Sequence, residues 1–261
     1  MRPAMARVFI TGSSQGLGFL AGQILIEQGH KVVLHARNTE RAEAIRAQLP
    51  ACDAIAVGDV STMDGMRSIA DQVNALGKFN AVIHNVALGN KEDYVKTADN
   101  FSELFAVNVI APYLLTGLIE RPERLIYMGS GMHRSGDPAL SDPQWFNRPW
   151  NASQAYSDSK LHDLILAMAV ANRWSDVRVN AVDPGWAPTR MGGADAPDDL
   201  LKAAGTQAWL AVSDESDARV SGGYFYHKKQ CSMHPITDEA DVQNNLIQYL
   251  RTITGVELDA E

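Results

Sequence analysis

Tyr156 and Lys160 stand one helical turn apart in Y-S-D-S-K, so on a helix their side chains share a face. A tyrosine left to itself titrates near pH 10 and is a poor acid or base at neutrality. A neighbouring ammonium stabilises the phenolate, which lets the same hydroxyl give and take a proton near neutral pH. The pair therefore suits proton transfer at an oxygen, with Lys160 supplying the charge. A second copy of the spacing, Tyr224–Lys228 in Y-F-Y-H-K, reads as strand. Four residues of strand hold two heads about 13 Å apart, too far to work on one proton.

Other chemistries find less support. None of the seven histidines falls in HxxxH or HExxH spacing, and Cys52 and Cys231 form no CxxC pair, so no metal site is expected. Ser130 lies outside any G-x-S-x-G elbow, which argues against a hydrolase triad. His162, two residues past Lys160, should point away from it. His133 reads as a solvated loop residue near enough to touch a substrate, and Asp195, Asp198 and Asp199 as the acidic start of a helix.

A second constellation suits a dinucleotide. T-G-S-S-Q-G-L-G at Thr11–Gly18 lies between a strand-like run and a helical one. Gly12 would allow the tight turn, Gly16 with Leu17 the close approach of backbone to a pyrophosphate, and Gly18 the packing of helix on sheet. Ser13, Ser14 and Gln15 would add hydrogen bonds. About 20 residues on, where an acid would bind a ribose 2′-hydroxyl, the chain reads Leu34-His35-Ala36-Arg37-Asn38. With no acid there and a guanidinium able to grip a 2′-phosphate, NADP(H) is expected over NAD(H).

The elements that must position these groups alternate. R-V-F-I, K-V-V-L-H-A-R, A-I-A-V-G-D-V, F-N-A-V-I-H-N-V, R-L-I-Y-M-G-S and V-R-V-N-A-V-D-P-G are compact apolar runs, each but the last leading into a helical pattern. Unbroken apolar runs suit strands buried on both faces, and the alternation implies βαβ units in a parallel sheet. G-G-Y-F-Y-H-K-K adds a seventh strand, and T-D-E-A-D-V-Q-N-N-L-I-Q-Y-L-R-T-I a final helix capped by Thr237. The expected fold is α/β: a Rossmann-type doubly wound parallel sheet of about seven strands with helices on both faces, one dinucleotide-binding domain over 1–261. Stretches 132–153 and 186–197 escape the alternation and follow strand ends, where open α/β sheets bind ligands.

As an ordered set these motifs resemble the short-chain dehydrogenase/reductase family, from about Ala6 to the last helix, and R-L-I-Y-M-G-S-G-M-H and S-G-G-Y-F-Y-H-K-K resemble its retinol-dehydrogenase-like branch. The resemblance implies that Ser130 binds the substrate oxygen beside Tyr156 and that Lys160 also holds the nicotinamide ribose. It further implies that Asn108 carries a water-linked proton relay toward the lysine. Asp59 and Val60 would contact adenine, and Asn85 would belong to the nucleotide site, with Val86 and Ala87 departing from the family's usual N-N-A-G. Pro184, Gly185 and Thr189 would bind the carboxamide side of the nicotinamide. The short segment between Asn108 and Arg124 puts the family's helix-pair dimer in doubt, leaving a homo-oligomer open.

A formal charge of −8 with scattered basic residues argues against nucleic acid, and no apolar run reaches the roughly 18 residues of a membrane span. The first residues lack a signal peptide's apolar stretch, so the cytoplasm is expected. The expected activity is hydride transfer between NADP(H) and a small-molecule carbonyl or secondary alcohol, with Tyr156 as general acid. Met132, Trp145, Phe146, Trp150, Trp186 and Met191 in the irregular stretches point to a bulky, apolar or ring-containing ketone. The alternative is a non-catalytic NADP(H)-binding sensor or scaffold on the same fold.

Overall fold

The computed structural model describes residues 5–258. One sheet runs in the order β3-β2-β1-β4-β5-β6-β7-β8. Its strands are β1 Arg7–Ile10, β2 Lys31–Ala36, β3 Ala54–Val57, β4 Ala81–His84, β5 Arg124–Met128, β6 Arg178–Asp183, β7 Tyr224–Tyr226 and β8 Lys229–Gln230. The first seven pair in parallel, as the sequence predicts. The eighth is antiparallel to β7 and corrects the reading of Y-F-Y-H-K as strand throughout. His227 and Lys228 take φ 49° and 64° and turn the chain back on itself. Such left-handed pairs usually carry Asn-Gly, so the sequence gives no warning of the reversal. Tyr224 is buried in the core while the Lys228 Nζ lies 5.9 Å over the Trp209 ring, and the second Tyr–Lys copy makes no working pair.

The helices are α1 Gly16–Glu27, α2 Thr39–Gln48, α3 Met63–Ala75, α4 Glu103–Phe105, α5 Ala111–Leu118, α6 Ala152–Arg173, α7 Leu200–Val212 and α8 Ala240–Thr254. A π turn, Ala106–Ile110, joins α4 to α5. Successive strand residues face opposite layers. Val8, Ile10, Val32 and Leu34 pack with Leu25 of α1, Ile45 of α2 and Leu210 of α7. Phe9, Val33, Val82 and Leu125 pack with Ile69 of α3, Leu114 of α5, Leu164 of α6 and Leu246 of α8. Apolar cover on both sides is the reason each strand reads as an unbroken apolar run. Between β1 and β4 the chain reverses its direction of travel across the sheet, which opens a crevice at the strands' C-terminal ends.

Two helix starts differ in how they are capped. Asp199 caps α7, accepting from the Lys202 N–H at 2.9 Å. Thr237 does not cap α8: it lies in a 3-10 turn, Pro235–Asp238, and donates to the His234 carbonyl at 2.8 Å. The helix begins after Glu239, which provides no side-chain cap.

Gly65 in the first turn of α3 makes a test of packing. Alanine for glycine inside a helix ordinarily gains about 1 kcal/mol. A β-carbon here would lie 2.0 Å from the Asp59 carbonyl oxygen and 2.9 Å from its nitrogen. Gly65→Ala is therefore expected to lose roughly 1–3 kcal/mol through overpacking, a fall in Tm of roughly 3–10 °C in a thermal melt. An unchanged or raised Tm would show that α3 can move off the β3 end.

Among the described residues no helix is long and apolar enough to cross a membrane, and no group of three or more His, Cys, Asp or Glu is placed to hold a metal ion.

Candidate active site

A cavity of ≈570 Å3 occupies the crevice. Its lining includes Gly12, Ser14, Gln15, Gly16, Leu17, Arg37, Asp59, Val60, Asn85, Val86, Ala87, Tyr156, Lys160, Pro184 and Thr189, all expected from sequence. Gly18, Asn38, Asn108, Ser130 and Gly185 lie outside the lining, and each makes the local contacts described below.

The glycine turn is held from three sides. Gly12 and Gly16 take φ 61° and 62°, and a β-carbon on Gly12 would lie 2.6 Å from the Val86 Cα. A β-carbon on Gly18 would meet the Asn85 amide at 2.4 Å, so that glycine admits the β4 loop rather than a ligand. Asn85 Nδ2 donates to the carbonyls of Thr11 and Gly12, both at 3.0 Å, and Gln207 Nε2 donates to Asn85 Oδ1 at 3.3 Å. Ser13 is fully buried, donating to the Ile10 carbonyl and accepting from the His35 N–H, which removes it from any role with ligand.

His35 joins the turn to the end of β3. Its Nδ1 accepts from the Gly12 N–H at 2.9 Å, and its Nε2 lies 2.9 Å from the Gly58 carbonyl, which fixes a neutral ring with the proton on Nε2. Burial holds the ring below its ordinary pKa, against smaller opposing effects of the Gly58 carbonyl and Asp59. The ring also lines the cavity. Sequence reading passed over it because the signal, a polar residue ending an apolar strand, has no fixed meaning without the turn beside it.

At this end of the cavity the cations gather. Arg37 is exposed at the β2 end, and Arg41, one turn into α2 and also missed, reaches Ser14 Oγ with its Nη1 at 3.4 Å. Asn38 instead caps α2, its Oδ1 accepting from the Arg41 N–H at 3.0 Å. Gln15 at the start of α1 offers no side-chain cap, so the first-turn N–H groups of that helix have none from it.

At the other end α6 presents Tyr156 and Lys160. Tyr156 is nine-tenths buried, and its hydroxyl makes no hydrogen bond to a described residue. Lys160 donates from Nζ to the Met128 carbonyl at 2.6 Å and lies 3.7 Å from Asp163 Oδ2. Asn108 sits in the π turn. Its Oδ1 accepts from the Leu88 N–H at 2.8 Å, and its Nδ2 donates to the Leu88 carbonyl and to Ser159 Oγ, both at 3.0 Å. Ser159 Oγ in turn donates to the Tyr156 carbonyl at 2.8 Å. Asn108 thus braces the tyrosine's backbone and the β4 loop.

Ser130 starts a 3-10 turn, Gly131–Ser135, with its Oγ accepting from the Met132 N–H at 3.3 Å. His133 corrects the expectation of a solvated loop histidine. It is fully buried, its Nδ1 lies 2.6 Å from the Ser130 carbonyl, and its Nε2 accepts from the His234 N–H at 3.1 Å. Burial lowers its pKa. His162 points away from Lys160, as expected, with its ring 6.0 Å from that of Phe105.

The aromatic residues divide. Trp145 and Trp150 pack edge to face at 5.8 Å in the cluster that walls Tyr156, with the Arg148 guanidinium 3.6 Å over Trp145. They are outside the cavity lining, contrary to their assignment as substrate contacts. Phe146 and Trp186 are exposed, and Met191 lines the cavity, touching Gly89 of the β4 loop. Gly185, at φ 70°, donates to Asp183 Oδ1, and Asp198 ties the same loop to Tyr226. The Thr189 methyl would lie 3.8 Å from a β-carbon on Gly16, so this loop crosses the glycine turn.

Residues 12–217 match the family model described as enoyl-(acyl carrier protein) reductase. An oxidoreductase of Emericella nidulans is 40% identical over 257 residues, 97% of this chain and 98% of that protein. A short-chain dehydrogenase of Gibberella zeae is 38% identical over 97% of this chain and 99% of its own length. Retinol dehydrogenase 13 of Homo sapiens is 27% identical over 96% of this chain and 85% of its own. Among solved structures, a protein of Mycobacterium Paratuberculosis superposes with TM-score 0.82 at 22% identity, covering 98% of this chain and 96% of that one. A blue fluorescent protein from a metagenomic library, in complex with NADPH, gives 0.68 at 21% identity over 85% and 95%. These likenesses at low identity concern the fold.

Proposed function

Because the chain belongs to the short-chain dehydrogenase/reductases, we propose that it is an NADP(H)-dependent oxidoreductase that interconverts a carbonyl compound and its secondary alcohol, the whole chain acting as one dinucleotide-binding domain. The observation that carries this reading is a single cavity with Arg37, Arg41 and Ser14 at one end and the unpartnered Tyr156 hydroxyl with Lys160 at the other. The residues present fit the cofactor: a left-handed glycine turn opens onto an α1 N-terminus without a side-chain cap, the Arg41 guanidinium reaches Ser14, and Arg37 lines the same cavity. A structural neighbour that binds NADPH supports the same choice. When bound, NADPH supplies a hydride.

The chain's own residues then have these tasks. Tyr156 donates its hydroxyl proton to the substrate oxygen, and the Lys160 ammonium stabilises the phenolate left behind. Ser130 Oγ hydrogen-bonds the same substrate oxygen, its backbone fixed by His133. Asn108, through Ser159, keeps Tyr156 in register. Asp59, Val60 and Asn85 hold the adenine and ribose portions, and Pro184 to Thr189 the nicotinamide side. Leu88, Val107 and Met191, which line the same cavity as Tyr156, favour an apolar, bulky, ring-containing ketone, in keeping with the retinol dehydrogenases among the relatives. The cytoplasm is the proposed location.

The test is to titrate NADPH and NADH into the purified protein and follow nicotinamide absorbance against bulky and small ketones and quinones. Consumption that prefers NADPH and large ketones supports the reading. NADPH binding with no turnover across the panel would favour a sensor instead, and binding of neither nucleotide would refute the assignment.

His35 gives a narrower test at the cofactor end. His35→Leu removes the acceptor for Gly12 and the donor to Gly58, at about 1 kcal/mol for each neutral hydrogen bond lost. The dissociation constant for NADPH, followed by nucleotide fluorescence, should rise roughly tenfold with kcat at saturation little changed. An unaltered constant would mean that the turn keeps its shape without the ring.

A further inference from the structure

The mechanism above leaves two buried acids of α6 unused, and of these Asp158 is satisfied by the Asp137 N–H, Gln154 and Arg148 whereas Asp163 is not. Asp163 lies three residues past Lys160 on α6 and is almost fully buried, with one carboxylate oxygen 3.7 Å from the lysine Nζ. The other oxygen, Oδ1, finds no hydrogen-bond partner among the described residues. A buried carboxyl with an unsatisfied oxygen is costly, and the group that offsets the cost is the Lys160 ammonium, itself almost fully buried. The place of Asp163 is therefore tied to that of Lys160.

The groups facing it define what it can do. Lys160 is the charged neighbour on its own helix, and Tyr127 faces it from β5. Tyr127 is bonded to Thr116 of α5 at 2.6 Å, and Thr116 to His84 of β4 at 3.0 Å, with the His84 and Tyr127 rings 4.8 Å apart. Burial alone pushes His84 down to about 3, so it stays neutral and contributes no charge. Lys160 is thus the cation that can answer Asp163, and its Nζ is held as well by the Met128 carbonyl.

We propose that Asp163 is a positioning residue for the acid/base pair: it anchors the Lys160 ammonium at the inner end of the cavity and, by its own protonation, sets how much positive charge Lys160 presents to Tyr156. The inference rests on the reading of Tyr156 and Lys160 as that pair. With Asp163 protonated, the full ammonium charge acts on the tyrosine; with Asp163 ionised, part of it is cancelled. Burial pushes the Asp163 carboxyl up to about 7 against the opposing pull of Lys160, which brings the change into the working range of pH.

Carboxyl 13C NMR of the full chain, labelled at aspartate and without added nucleotide, tests the coupling independently of turnover. One aspartate resonance should titrate near neutrality, be absent in Asp163→Asn and move to higher pH in Lys160→Met, which removes the ammonium. The lysine variant reports on the pair even if the aspartate variant does not fold. Titration of every aspartate in the ordinary acidic range, or indifference to Lys160→Met, overturns the proposal. With NADPH and a ketone, the wild-type kcat profile should step near pH 7. Asp163→Asn should lose the step and change kcat about tenfold, the equivalent of one unit in pKa, with both KM values little altered. A uniform fall in kcat with the step intact would reduce Asp163 to a structural residue. Should the NMR coupling appear while no carbonyl compound turns over, the pair stands and the oxidoreductase reading fails.

Discussion

Tyr156→Phe should lower kcat for NADPH-driven ketone reduction by about 10²–10⁴-fold, the range that a positioned proton donor contributes, while the dissociation constant for NADPH stays within about twofold. The separation of the two effects follows from the environment of the hydroxyl. It makes no hydrogen bond to a described residue, so its removal leaves no orphaned partner. The ring keeps its packing against Leu104, Trp145 and Ala155. A melt of the variant should match the wild type, and single-turnover kinetics should assign the loss to chemistry rather than binding. Retention of wild-type kcat would remove Tyr156 from the mechanism, and with it the main ground for calling this chain a reductase.

Joint replacement of Arg37 and Arg41 by alanine should weaken NADPH binding by about 10²–10⁴-fold, since each charge-assisted hydrogen bond is worth about 1.5–3 kcal/mol. NADH binding should change little, because the difference between the two nucleotides is the 2′-phosphate. The single variants separate the contributions. Arg37 is exposed and free to meet the ligand from solvent, whereas Arg41 is half-buried beside Ser14, so Arg41→Ala should carry the larger share. Salt gives a second reading, with the NADPH preference of the native chain shrinking as ionic strength rises. Equal losses for NADH and NADPH would mean that the arginines shape the site without recognising the phosphate.

Local order along the chain was readable where a residue's role is set by its immediate neighbours. The strand, glycine turn and helix around Gly12 and Gly16, the alternation that gives a parallel sheet, and the shared helix face of Tyr156 and Lys160 all depend on short separations. Contacts made by the crossovers were not readable. His35 meets Gly12 across 23 residues, and His133 meets His234 across 101. Only the folded sheet puts these pairs together. Ser13 turned inward and Asn38 became a helix cap because short polar side chains serve backbone groups as readily as ligands. Arg41 and Asp163 were passed over although each lies within one turn of a residue already chosen, Arg37 and Lys160. The hairpin at His227 and Lys228 was hidden for the opposite reason: local composition pointed to continuing strand, and the pairing of Phe225 with Gln230 overrides it.

The sheet separates the two halves of the site into different layers. The glycine turn leads into α1, which packs with α2 and α7 on one face, while Tyr156 and Lys160 ride on α6, which packs with α3, α5 and α8 on the other. On the proposed function, substitutions in one layer act first on nucleotide affinity and those in the other on proton transfer. A scaffold partitioned in this way separates the residues that meet one ligand from those that meet another, and that independence is a route by which one fold comes to serve many substrates.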